Sequence, residues 1–295
     1  MALEITYLVS NYNKGPYLAD CLASLHAQSS PQWRCLICDD GSTDASLTIL
    51  QPWLGDKIRL IQNERNQGVI YTLQRLIAEA STDLVGVLDA DDALYPEATA
   101  CLLAAYEQHP AAGFVYSNWT AYSADLRTPL RPGPIAALPP NWTLLTAGVV
   151  PAIRTFRVAA YQRTAGLDPM AYYAEDMDLI YKLEEVTPRL FIDRELYKYR
   201  QLAASQSHNP QKTDVMLRST ARVYRNALTR RQIGGLQRLA YELFIMNTYY
   251  LRQNHSPLLR RLAQWHWHYL RRFIHWTVDR TEPRMCNVAL QDGAC

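Results

Sequence analysis

The chain has 295 residues, 48% of them hydrophobic and 20% charged, the balance of a folded soluble protein of about two domains rather than a disordered or fibrous one. No apolar run approaches the roughly 20 residues of a membrane span. The N-terminal MALEITYLVSNYN lacks the basic start and cleavage site of a signal peptide, so a cytoplasmic protein is expected. The net charge of +2 conceals a split: residues 1–204 carry 16 Lys+Arg against 23 Asp+Glu, and residues 205–295 carry 14 against 5. A −7 region followed by a +9 region predicts a division into 1–205 and 206–295 with different partners.

In chain order, LEITYLV (3–9) reads as a strand and GPYLADCLASLHAQ (15–28) as a helix, with Leu18, Leu22 and Leu25 at helical spacing. WRCLICD (33–39) is a second strand. Cys35 and Cys38 within it form a C-x-x-C, but a strand sends them to opposite faces, so buried thiols are expected rather than a zinc or redox pair. STDASLTILQPWL (42–54) predicts a helix capped by Ser42 or Thr43. KIRLIQN (57–63) is a third strand, GVIYTLQRLIAEA (68–80) a helix and DLVGVLD (83–89) a fourth strand. This alternation implies βαβ units and a mainly parallel sheet, with ligands at the carboxyl ends of the strands. The stretch from about 113 to 175 is less regular, and RTPLRPGPIAALPPNW (127–142) reads as a loop. EDMDLIYKLEEV (175–186) is helical, RLFIDRELYKYR (189–200) strand-like, and the pattern from about 210 onward is helical.

Three strand ends carry chemistry. LVGVLDADDALYP (84–96) finishes an apolar run in Asp89, Asp91 and Asp92. Asp92 suits the cap of a helix beginning near Tyr95, but three carboxylates there point to Mg²⁺ or Mn²⁺ held together with substrate phosphates. In CDDGSTD, Asp40 is placed to accept a hydrogen bond from a ligand donor such as the imide N–H of a pyrimidine, with a capped turn as the structural alternative. In VSNYNKG, Tyr12 offers a flat face for a base, with an aromatic packed under the loop as the alternative. No G-x-x-x-x-G-K-[ST] or G-x-G-x-x-G is present, which removes the ordinary phosphate-loop and dinucleotide readings.

In this order, VSNYNKGPYLADCLASLHAQ, CDDGSTD, LDADDALYP and AEDMDLIYKL resemble the inverting family 2 glycosyltransferases of GT-A fold, over roughly residues 3–205. The resemblance implies an α/β fold, a mainly parallel twisted sheet flanked by helices, with a C-terminal helical region beyond it. It implies sugar transfer from a nucleotide-sugar, UDP- or dTDP-linked, to a carbohydrate or lipid-linked acceptor, aided by Mn²⁺ or Mg²⁺. Tyr12 then matches the base-stacking tyrosine, Ser10 approaches the nucleotide, Asp40 reads the base, Asp89 lies near the ribose or diphosphate, Asp91 binds metal and Asp176 is the catalytic base. A carboxylate opening a helix is favoured as the anion, which suits a base; first-turn charge complementing the helix dipole is the alternative for Glu175 and Asp176.

The sequence also departs from the family pattern. An Arg-Asn pair of many relatives is replaced by Leu73 and Gln74, with Arg75 alongside as the donor-site candidate. Leu202 stands where relatives often carry a His; His208, six positions later, is the metal candidate that remains, with a solvent-exposed loop histidine as the alternative reading. A Q/R-x-x-R-W element is missing, which favours single addition over polymerisation. SPLLRRLAQWHWHYLRRFIHWTVDR (256–280) has the arginines and aromatics of an interfacial membrane helix, against a helix packed on the catalytic domain or a homodimer contact. The rival functions are metal-dependent nucleotidyl transfer and an inactive nucleotide-sugar-binding module. No nucleic-acid partner is expected.

Overall fold

A computed structural model describes residues 3–139, 142–202, 213–253 and 288–290. Strands and helices alternate through the first ninety residues: β1 (Ile5–Asn11), α1 (Gly15–His26), β2 (Trp33–Asp39), α2 (Ser46–Leu50), β3 (Ile58–Gln62), α3 (Val69–Glu79) and β4 (Leu84–Val87). There follow β5 (Ala93–Leu94), α4 (Ala98–Gln108), β6 (Phe114–Tyr122), β7 (Pro129–Pro132), α5 (Leu144–Ala147), β8 (Arg154–Arg157) and α6 (Val158–Gln162). The remaining elements are α7 (Glu175–Val186), β9 (Arg189–Arg200), α8 (Thr213–Arg230), α9 (Gly235–Gln253) and β10 (Val288–Leu290).

The strands join in one sheet of order β10-β9-β6-β8-β4-β1-β2-β3, with β5 added to β9 and β7 to β6. The half built from β3, β2, β1 and β4 is parallel, as the βαβ pattern requires. Beyond it the sheet is mixed, because β8 runs antiparallel between β4 and β6. Beyond β8, β6, β9 and β10 are again parallel to one another, so the sheet is mainly parallel as expected, with β8 and the short β5 and β7 as its antiparallel members.

Alternation along each strand divides the core into two layers. Ile5, Tyr7 and Val9 face α1 and α4, whereas Leu8 faces α3 and the layer that also holds α7, α8 and α9. Cys35 and Cys38 fall into opposite layers, and burial pushes both thiols up, Cys38 to about 11. They are free and buried, as the strand period predicts. The described part of the basic region is thus packed on the same core as α7. His208 and the 256–280 segment lie outside the described residues.

Three expectations change. The helix after β2 begins at Ser46 rather than Ser42, because Ser42 and Thr43 are engaged by Asn13 instead; Asp44 Oδ1 accepts from Ser46 N at 2.9 Å. It continues only as a 3-10 turn over Gln51–Trp53. Asp92 does not cap the next helix, which begins at Ala98. Its two oxygens accept from Arg200 N (2.7 Å) and the Tyr197 hydroxyl (2.8 Å), tying the β4 exit to β9. The stretch from 113 onward contains the nine-residue β6 and part of the apparent loop is β7.

Candidate active site

Register brings the motifs together. Asn11 pairs with Asp39 across β1 and β2, and Leu8 with Val87 across β1 and β4. The segments after these strands therefore share one rim. Val87 also pairs with Arg154, so the first residue of β8 arrives at that rim from the opposite direction.

Side chains sew the first two loops together. Asn13, at φ +53°, accepts through Oδ1 from the backbone N–H of Thr43 (2.8 Å) and Asp44 (3.2 Å), while its own N–H donates to Ser42 Oγ. Asp39 accepts from Asn11 Nδ2 and Ser42 N. Gly41 sits at φ +73°, and a Cβ there would lie 2.7 Å from the backbone of Arg65. Only glycine allows both that turn and that approach. Tyr12 emerges from this knot 43% exposed, and Ser10 is half-buried below it.

Asp40 is 3% exposed and accepts from Asn63 Nδ2 (2.7 Å), Gln67 N and Gly68 N (2.8 Å each). A carboxylate has about four acceptor positions, so three of them are taken. Arg75 donates to Asn63 Oδ1 at 2.6 Å and to Gln62 O. It stands behind Asp40, one residue removed from it.

The acidic strand end separates into three different environments. Asp91 pairs with Lys14 Nζ at 2.5 Å. Asp92 is buried against β9; burial, Asp89 and Asp91 hold its carboxyl well above the usual range. Asp89 Oδ1 lies 3.7 Å from Arg154 Nη2, and Asp176 Oδ2 lies 3.8 Å from Arg154 Nη1. Arg154 is 7% exposed and its Nε has no partner. Asp176 enters from the first turn of α7, where its Oδ1 accepts from Met177 N. Its approach is held by Asp178, which accepts from Asp168 N and from Lys182.

The region over Asp176 is less polar. Gly148, Val150, Met177 and residues of α8 and α9 enclose a cavity of about 250 Å³ with Asp176 and Tyr173 in its wall.

The family model described as glycosyl transferase family 2 matches residues 6–164. The chain belongs to glycosyl transferase family 2. It is 26% identical over 234 residues to a chondroitin synthase of Escherichia coli, a match covering 77% of this chain and 33% of that protein. It thus spans a third of that relative's length. Its fold is similar to that of Staphylococcus aureus TarS 1–349 in complex with UDP-GlcNAc, with TM-score 0.59, 14% identity and coverage of 94% and 92% of the two chains. A mannosyltransferase from Pyrobaculum calidifontis in complex with GDP-Man and Mn²⁺ matches with TM-score 0.51 and 14% identity over 94% and 88%. At these identities the structural matches speak for the GT-A fold alone.

In this glycosyltransferase the rim suits a metal of a particular kind. Among the described residues no three His, Cys, Asp or Glu side chains form a ready metal cage. With Asp92 turned to β9, Asp89 and Asp91 are the two carboxylates left. One or two carboxylates completed by phosphate oxygens is the usual binding mode of Mg²⁺. The residues fit an ion that arrives with a diphosphate, and Lys14 engages Oδ2 of Asp91.

Lys14 and Arg154 were not legible as site residues. The signal for Arg154 is a lone arginine in an otherwise apolar run, PAIRTF. Glu175 was legible as a neighbour of Asp176, but not its state: burial, and then repulsion from Asp176, push its carboxyl from 4.5 up to about 7, and its Oε2 has no partner. Between those values the folded chain holds a proton that the unfolded chain has lost, so stability should fall as pH rises through that window. Urea midpoints measured across it should show this slope, and Glu175→Gln should flatten it. An unchanged slope in the variant would assign the effect to another group.

Proposed function

We propose that this family 2 glycosyltransferase is an inverting, non-processive enzyme. It moves one sugar from a uridine or thymidine diphosphate sugar to a hydroxyl of a carbohydrate or lipid-linked acceptor. It would serve surface polysaccharide synthesis from the cytoplasm, at or near the inner face of the membrane. The reading rests on one observation above the others: a single guanidinium, Arg154, lies within 3.8 Å of both Asp89 and Asp176. Carboxylates 87 positions apart in sequence, one at the donor strand end and one at the helix that carries the base, are separated by one side chain. The sugar synthase named among the relatives and the UDP-GlcNAc bound by TarS support the substrate class.

Tyr12 would stack on the base and Asp40 would use its remaining acceptor position for the imide N–H. Ser10 lines the approach to the nucleotide. Asp91, with Asp89, would hold Mn²⁺ or Mg²⁺, which when bound neutralises charge on the diphosphate leaving group. Lys14, freed from Asp91, belongs to the loop that carries Tyr12 and can turn to a phosphate oxygen. Inversion needs one displacement, and Asp176 takes the acceptor hydroxyl's proton as that oxygen attacks.

Calorimetry of UDP and GDP with and without Mn²⁺ tests the donor side. UDP should bind more tightly than GDP, Mn²⁺ should strengthen UDP binding, and Asp91→Ala should abolish that strengthening. Equal Mn²⁺ response in the variant would remove Asp91 from the metal site, and preference for GDP would remove Asp40 and Tyr12 from base reading.

A further inference from the structure

We infer that the acceptor carries an apolar group next to its reacting hydroxyl, and that the cavity between α7, α8 and α9 receives it; this rests on Asp176 being the base. The cavity measures about 250 Å³, and its wall includes Asp176, Met177, Met216, Ala221, Tyr224 and Phe244. It exceeds the roughly 150 Å³ in which an apolar cavity accommodates a benzene-sized group.

The lining argues for the class of occupant. A sugar ring brings several hydroxyls, each needing a partner when taken from water. Here Thr220 and Tyr173 are the polar side chains besides Asp176 and Tyr224, and the Tyr224 hydroxyl is engaged with Tyr181. Thioethers, aliphatic groups and rings supply the rest. A hydroxyl at Asp176 with an alkyl or isoprenoid-like chain behind it matches that distribution; a second sugar ring does not.

The entry to α7 is shaped for this contact. Tyr173 is held at φ +60°, the left-handed region that bulky residues rarely adopt. Backbone outliers of this kind concentrate at functional sites. The turn places the Tyr173 ring in the cavity wall three residues before Asp176. Asp168, which the segment bonds to α7, is also held by Arg222 of α8 at 2.7 Å. The cavity wall and the base are therefore positioned by the same contacts.

The test uses the full chain and 1-alkanols from butanol to octanol, the simplest molecules with a hydroxyl on an apolar chain. Calorimetry should show Kd falling about fourfold for each added methylene until the cavity is full. Ala221→Phe, which fills the cavity, should flatten that series. Met216→Gln, on a half-buried position, should weaken octanol several-fold and leave butanol little changed. UDP titration of each variant checks that the donor half is folded. No dependence on chain length, or the same dependence in wild type and both variants, would overturn the inference. UDP binding with a flat alkanol series would defeat this inference alone; a steep, variant-sensitive series without UDP binding would defeat the donor reading alone.

Discussion

Replacing Asp176 with Asn is expected to lower sugar transfer by a factor on the order of 10²–10⁴ while UDP binding persists. The side chain keeps its size, and an amide oxygen can still accept from Met177 N, which now binds Oδ1 at 2.7 Å. What is lost is the proton acceptor and the charge facing Arg154 at 3.8 Å. The groups proposed to bind the nucleotide, Tyr12 and Asp40, belong to loops after β1 and β2 and share no hydrogen bond with Asp176. Comparing single-turnover transfer with UDP calorimetry separates the two effects. Loss of UDP binding in proportion to transfer would place Asp176 at the donor instead. The neighbouring Glu175→Gln is the necessary control, because burial and Asp176 raise its carboxyl to about 7, which makes it the rival proton acceptor. A larger loss in Glu175→Gln than in Asp176→Asn would reverse the roles.

The largest effect on stability is expected at Glu184, far down α7 from the site. Its carboxylate is fully buried and accepts from Leu144 N at 2.8 Å, Arg189 Nη1 at 2.5 Å and Arg231 Nη2 at 2.9 Å. One side chain thus joins α5, α7, the start of β9 and the end of α8. Arg231 has Glu185 as a further partner, but Arg189, itself 2% exposed, otherwise bonds the carbonyl of Trp142. Glu184→Gln would leave the Arg189 charge buried and unbalanced, and removing one member of such a pair costs about 3–5 kcal/mol. Urea denaturation should report a loss of that order. A loss below about 1 kcal/mol would mean that water or a rearranged partner reaches Arg189.

Strong periodicity made the first half of the molecule legible. β2 spans Trp33–Asp39 and α3 spans Val69–Glu79, within a residue or so of where β-branched runs and helical spacing put them. Parallel pairing then carries three strand-end motifs to one rim without further information. Legibility ended where elements became short: β8 has four residues and α5 four, too few to express a period. That is also why Arg154 was hidden, since its importance comes from β8 running antiparallel beside Val87, a pairing no local pattern encodes. Ser42 misled as a helix cap because the partner that engages it, Asn13, lies in another loop 29 residues away. The cavity, too, depends on α8 and α9 folding back on α7, a long-range packing event.

The cross-loop bonds of Asn13 and Asp40 have a consequence for how substrate preference can change. Segments 11–15, 39–46 and 63–68 are already ordered by one another, so the conformational entropy of that half is lost on folding and not again when a nucleotide enters. Such a half resists alteration, since a substitution at Gly41 or Asn13 disturbs several segments together. The wall over Asp176 is different in kind: Met216 and Ala221 stand on α8 and Phe244 on α9, outside that net of loop bonds. Diversification of such a chain is therefore expected to follow α8 and α9, altering which molecule is modified while the same nucleotide continues to be read.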